Sequence, residues 1–177
     1  MKIKVNMDAI EAMLFYWHSV CEKEKVSDKY LWDITELPGL KLAYDDDFNA
    51  DSVRKILSAI SNREAVSKDN QKEGRFWNNN MWMTEDLSFT DMMVQPIKQL
   101  NIDEMPEILE SRGIKTSYEE LEVIFSPLHT TEYLIKENKL IINFFRVMPD
   151  FGTGEAKIDG KDIKEYILDK LQELCSK

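Results

Sequence analysis

The sequence predicts an α+β protein in which several helices pack on a small antiparallel sheet, and three observations carry that expectation. Apolar residues recur with helical spacing through the first two thirds of the chain. β-branched and aromatic residues then concentrate in three short runs between residues 121 and 147, and helical spacing returns over residues 163–174. At 177 residues the chain has the length of a single globular domain, 1–177, able to bury a core without disulfides or a metal. No internal repeat and no linker divides it.

Over residues 8–25, Ile10, Met13, Leu14, Trp17, Val20 and Cys21 line one face of a helix, with Asn6 or Asp8 as its cap. "SDKYLWDITELPG" places Tyr30, Leu31, Ile34 and Leu37 on a short helix stopped by Pro38 and Gly39, and "LKLAY" then alternates as a short strand does. Asn49 or Asp51 caps a second amphipathic helix that carries Val53, Ile56, Leu57 and Ile60 and ends near Asn62. "SKDNQKEG" holds no apolar residue, so nothing offsets the entropy of ordering it, and it reads as a mobile surface loop. Residues 89–100 have helical spacing, with Pro96 expected to break or kink the helix. "NIDEMPEILESRG" is a helix with Asn101 or Asp103 as cap, Pro106 in its first turn and Gly113 as terminator.

The runs "LEVIF", "EYLIK" and "KLIINFFRV" read as a C-terminal three-stranded antiparallel meander, with "KEN" as the tight turn between the second and third. After the glycine loop "PDFGTG" and a turn at Asp159 and Gly160, Ile163, Tyr166, Ile167, Leu171 and Leu174 form the buried side of a terminal helix.

Acidic residues outnumber basic ones by 33 to 23, for a formal charge of -10, and the Lys and Arg residues are scattered. Such a field repels phosphate backbones and anionic headgroups, which points away from nucleic acid and membranes as partners and leaves a protein partner open. No stretch is long and apolar enough to span a bilayer, and "MKIKVNMDAIEAM" lacks the unbroken apolar core of a secretion signal. Cys21 and Cys175 each fall in an apolar helical pattern near opposite ends of the chain, which suits small core side chains in a reducing cytoplasmic compartment.

The chemistry-bearing motifs are incomplete. Asp45, Asp47 and Asn49 alternate as in a calcium loop, but Ala50 stands where the turn needs Gly and Ile56 where a bidentate Glu is required. Their carboxylates instead suit the positive end of the following helix. "DFGTG" lacks the other parts of a kinase or phosphate loop, and two histidines with two distant cysteines make no zinc set, so no cofactor and no metal is expected. His18 flanks the first helix as a packing residue, whereas His129, in "SPLHTTEY" between two predicted strands, sits where catalytic residues collect, beside Ser126, Thr130 and Thr131.

The densest aromatic segment is "GRFWNNNMWM". Asn78, Asn79 and Asn80 tolerate left-handed backbone and can bond their own main chain, so a turn there would fold Trp77 and Trp82 toward each other. Either both indoles, together with Phe76, anchor the segment to the core, or at least one indole stays exposed as the lip of a partner surface formed by Trp77, Asn79 and Trp82. Two functional readings follow. One is a non-enzymatic interaction or accessory protein; the other is a small enzyme or ligand-binding protein with a pocket between sheet and helices, using His129 and nearby carboxylates.

Overall fold

The computed structural model describes residues 1–153 and 155–177. The chain opens with a strand, β1 (Lys2–Asn6), whose Ile3 and Val5 pack on the core while Lys2 and Lys4 face outward. Seven helices follow: α1 (Asp8–Cys21), α2 (Asp28–Thr35), α3 (Pro38–Lys41), α4 (Ala50–Asn62), α5 (Gln71–Glu85), α6 (Leu87–Lys98) and α7 (Met105–Ser111). Then come β2 (Glu120–Ser126), β3 (Tyr133–Lys136) and β4 (Lys139–Asn143), a 3-10 turn at Phe144–Arg146, the short strands β5 (Val147–Pro149), β6 (Ala156–Ile158) and β7 (Lys161–Asp162), and the terminal helix α8 (Ile163–Cys175). The architecture is α+β, as the sequence predicts.

The main sheet is not the expected meander. Its order is β1-β2-β4-β3, with β1, β2 and β4 parallel and only β3 antiparallel, joined to β4 by the hairpin turn at Glu137 and Asn138. The physical reason lies in β2, which is buried along nearly its whole length and therefore takes a neighbour on each side. β3 is only half-buried and occupies the edge. A second sheet, β5-β6-β7, is antiparallel, and its β6–β7 turn uses Asp159 and Gly160 at positive φ as expected.

Several helical expectations shift for identifiable causes. Pro38 and Gly39 start α3 instead of merely stopping α2, because proline is pre-set for a first helical turn, and this converts the predicted "LKLAY" strand to helix and turn. Asn49 and Ser52 form a reciprocal capping box at α4. "SKDNQKEG" is not a loop throughout: Asn70 accepts from the Glu73 amide and starts α5, which runs through the whole of "GRFWNNNMWM". Glu73 is buried and ion-paired with Lys55 of α4, so the polar segment is fastened where the sequence offers no apolar anchor. Pro96 sits two residues from the end of α6, where its missing donor removes a single bond and the helix continues to Lys98.

One apolar cluster extends from Ala9 to Leu174, joining α1, α4, α5, α6 and α8 to one face of the main sheet through Leu121, Val123, Phe125, Leu140 and Ile142. On the opposite face Ile124 and Ile141 meet Leu128 and Ala43 in a smaller cluster beneath the turn after α3. The layers approach closely at Gly39, where an added Cβ would lie 2.5 Å from the Ala9 Cβ and 3.3 Å from the Phe125 carbonyl oxygen. Gly39 also accepts a hydrogen bond from Ser126 Oγ, which ties α3 to the end of β2. Gly39→Ala is expected to destabilise by roughly 1 to 3 kcal/mol through overpacking, and Ala9→Gly in the same chain to recover part of that loss. Thermal melts of the two single variants and the double variant check it; a Gly39→Ala protein as stable as the parent would contradict the tight contact.

Candidate functional site

Helix α5 supplies the site, and its rotation follows from one buried amide. Asn80 is fully buried; its Oδ1 accepts from Trp17 Nε1 at 2.9 Å, and its Nδ2 donates to the Phe76 carbonyl at 2.8 Å. With Phe76 and Met83 also buried, one face of α5 is committed to the core. The three asparagines therefore do not make a turn. They lie on successive faces of a helix, with Asn80 inward, Asn79 half-buried and Asn78 exposed.

The candidate partner residues border different features of the surface. Trp77 is half-buried and borders a cavity of about 530 Å³ between α1, α4 and α5, lined also by Val20, Ile60 and Met81. Trp82 points elsewhere, 37% exposed, and tilts against Phe89, which in turn neighbours the 73% exposed Phe151. Asn79 borders a third place, a polar cavity of about 360 Å³ between α5 and the main sheet.

That polar cavity is the candidate site. Its walls come from Gln71, Arg75 and Asn79 of α5, from His129 and Thr130 after β2, and from Asn143, Phe145 and Arg146 after β4. Because β2 and β4 run parallel, both loops leave the carboxyl end of the sheet side by side, which is where ligands settle in open sheets of parallel strands. Asn143 shapes the second loop: its Oδ1 accepts from the Phe145 amide and its Nδ2 donates to the Thr131 carbonyl, so the chain turns sharply and presents Arg146. Asn79 Nδ2 makes only a long contact, 3.4 Å, with the Leu128 carbonyl.

The charge on these walls is the opposite of the protein's mean. Arg75 and Arg146 both border the cavity and, among the described residues, neither reaches a carboxylate; of the five arginines only Arg54 does, to Asp28 at 2.8 Å. Among the described residues no aspartate or glutamate lines the cavity. Two guanidinium groups with no carboxylate partner among the described residues, in a molecule of net charge -10, are two positive charges available to a ligand. Sequence reasoning passed over both arginines, since each stands alone among neutral neighbours and only the fold brings them together.

His129, one of these wall residues, is largely buried and lies edge-on to Phe48 with ring centroids 4.6 Å apart. Its Nδ1 accepts from the Thr130 amide at 2.9 Å, which puts the proton of the neutral ring on Nε2. Nε2 is buried with no hydrogen-bond partner among the described residues; the Ala43 carbonyl is near enough to favour a charged ring without meeting hydrogen-bond geometry. Burial pushes the imidazole below its usual value, the Lys72 ammonium acts in the same direction, and Asp45 and Ala43 oppose them. The expected pairing of His129 with cavity carboxylates is absent from the described walls, and its Nδ1 lone pair is already engaged.

Asp45 of the calcium-like run is held by Lys72 and by the amides of Asp47 and Phe48. Among the described residues no group of three His, Cys, Asp or Glu side chains is placed to hold a metal. The glycine turn read at residues 150–154 has Asp150 Oδ1 accepting from the Gly152 amide at 2.9 Å, and its last residue, Gly154, lies outside the described residues. No described helix is long and apolar enough to cross a membrane. No protein-family model, curated protein or solved structure matches the chain.

The depressed imidazole makes stability depend on pH. An unfolded imidazole titrates near 6.5, so below that value the unfolded chain takes up a proton that folded His129 resists, and stability falls as pH drops. Denaturant unfolding at about pH 7 and pH 5.5 is expected to show a larger loss for the parent protein than for His129→Gln. Equal losses would contradict a buried, neutral ring.

Proposed function

We propose that this chain is a binding protein for a small anion, whose phosphate or carboxylate group sits between Arg75 and Arg146 and whose body is compact and polar. The observation that carries this reading is the convergence of two arginines, neither paired with a carboxylate among the described residues, on one cavity at the carboxyl ends of β2 and β4. The cavity volume suits a small metabolite, and its mainly polar walls suit a hydroxylated body better than an apolar one. Acid–base catalysis finds less support, because among the described residues no carboxylate lines the cavity and the Nδ1 lone pair of His129 is taken by the Thr130 amide. The two free thiols, Cys21 and Cys175, suit the reducing cytoplasm expected from the sequence.

Calorimetric titration at low ionic strength with inorganic phosphate, ribose 5-phosphate and succinate tests the reading. At least one is expected to bind saturably, and Arg75→Ala and Arg146→Ala each to weaken it about 10- to 100-fold, the loss of a charge-assisted hydrogen-bonding group. Raising the salt concentration is expected to weaken binding in the parent protein more than in either variant. Absence of saturable binding by all three, or undiminished affinity in both variants, would remove the assignment.

A further inference from the structure

We infer that the anion is a nucleoside monophosphate, with its phosphate between Arg75 and Arg146 and its base stacked on Trp77 across Gly74. This rests on the anion-site reading and names the ligand class. The polar cavity does not end at Arg75. Gln71 and Arg75 also border a second, shallower depression of about 330 Å³ on the outer side of α5, bounded by Lys68, Gly74, Trp77 and Asn78. Gln71 and Arg75 thus border both depressions, and the proposed ligand passes beside these two side chains to reach the indole of Trp77.

Gly74 is the observation that the fold leaves unexplained. It lies inside α5, where glycine is the poorest helix former after proline. Its φ is not in the left-handed region, and a Cβ built on it would meet nothing within 4 Å. Neither backbone conformation nor crowding calls for glycine here. What a methyl group would occupy is the floor of the depression between Arg75 and Trp77. A missing side chain at the point where a ligand must lie close to the helix accounts for the residue.

The far end of the path has the chemistry of a base shelf. The Trp77 ring is half-buried, so its position is fixed by packing, and its accessible face is met by the Lys68 ammonium 4.2 Å from the ring centroid. Lys68 has no carboxylate partner among the described residues. A planar base takes the place of that ammonium on the indole, and Lys68 moves to the outer face of the base or toward the phosphate. Asn78 and Gln71 offer amide groups to the base edge and the ribose. Stacking on an indole discriminates between a ligand with a base and the same sugar phosphate without one.

The test compares adenosine 5'-monophosphate with ribose 5-phosphate by calorimetry, on the parent protein, Gly74→Ala, Trp77→Leu and Arg75→Ala. The nucleotide is expected to bind at least about 5-fold more tightly than the sugar phosphate, the discrimination that one stacked base provides. Gly74→Ala is expected to raise the melting temperature, since it improves the helix, yet to remove that preference while leaving ribose 5-phosphate affinity unchanged. Trp77→Leu removes the preference as well, and Arg75→Ala weakens both ligands. Equal affinity for the two ligands, with both weakened by Arg75→Ala, would overturn the nucleotide inference and leave the anion site standing. Failure of both ligands to bind would overturn the nucleotide inference, and the anion site falls with it when phosphate and succinate also fail to bind. A nucleotide preference that survives Gly74→Ala would overturn the path across Gly74, because that variant leaves the fold intact.

Discussion

The hydrogen bond from Trp17 to Asn80 sets the rotation of the helix that carries the candidate site. Both groups are fully buried, and the amide also donates to the Phe76 carbonyl, so unpairing either one would strand a polar group in the core. Successive residues of a helix point about 100° apart. Fixing Asn80 against Trp17 therefore fixes where the other side chains of α5 point: Phe76 and Met83 inward, Asn79 and Arg75 toward the loops after β2 and β4, and Asn78 outward beside the bare backbone of Gly74. Apolar contacts alone would tolerate a small rotation of the helix; a directional bond does not.

The sheet supplies the other half of the arrangement. Parallel pairing of β2 with β4 brings residues 127–130 and 143–146 out on one side, although the strands are separated in sequence by the β3 hairpin. Gly39 and Ser126 then brace the end of β2 against α3, while Asn143 makes the turn that sets Arg146. Positive charge thus accumulates at one place on an acidic protein through packing and turn chemistry, each held by a neutral polar side chain. That division is physically economical, since a carboxylate used for the same positioning would neutralise the arginines it positions.

Much of this was legible in the residues, and the exceptions have physical causes. Helical spacing located α1, α4, α7 and α8, and the β-branched runs located β2, β3 and β4, because burial of one face leaves a periodic trace. Pairing partners leave no such trace, so "LEVIF" and "KLIINFFRV" were as compatible with a meander as with adjacent parallel strands. "KIKVN" does alternate as a strand, but at five residues its signal is weak beside the long helix that follows. In "GRFWNNNMWM" local propensity favoured a turn, and tertiary structure prevailed, since Asn80 is worth more as the partner of a buried indole than as a turn former. The site was the least legible part. His129 was visible as a loop histidine, but whether Arg75 and Arg146 have carboxylate neighbours is a property of the fold and of nothing nearby in sequence.

The account stands on Arg75 and Arg146 acting as one anion site, and their side-chain resonances report on it directly. With nitrogen-15 in the arginine side chains, phosphate is added while the Nε–Hε signals of all five arginines are followed. The account predicts that the Arg75 and Arg146 signals move together along a single saturating curve, while those of Arg54, Arg63 and Arg112 stay in place. Small, non-saturating shifts shared by all five, or saturation at an arginine outside the cavity, would contradict it.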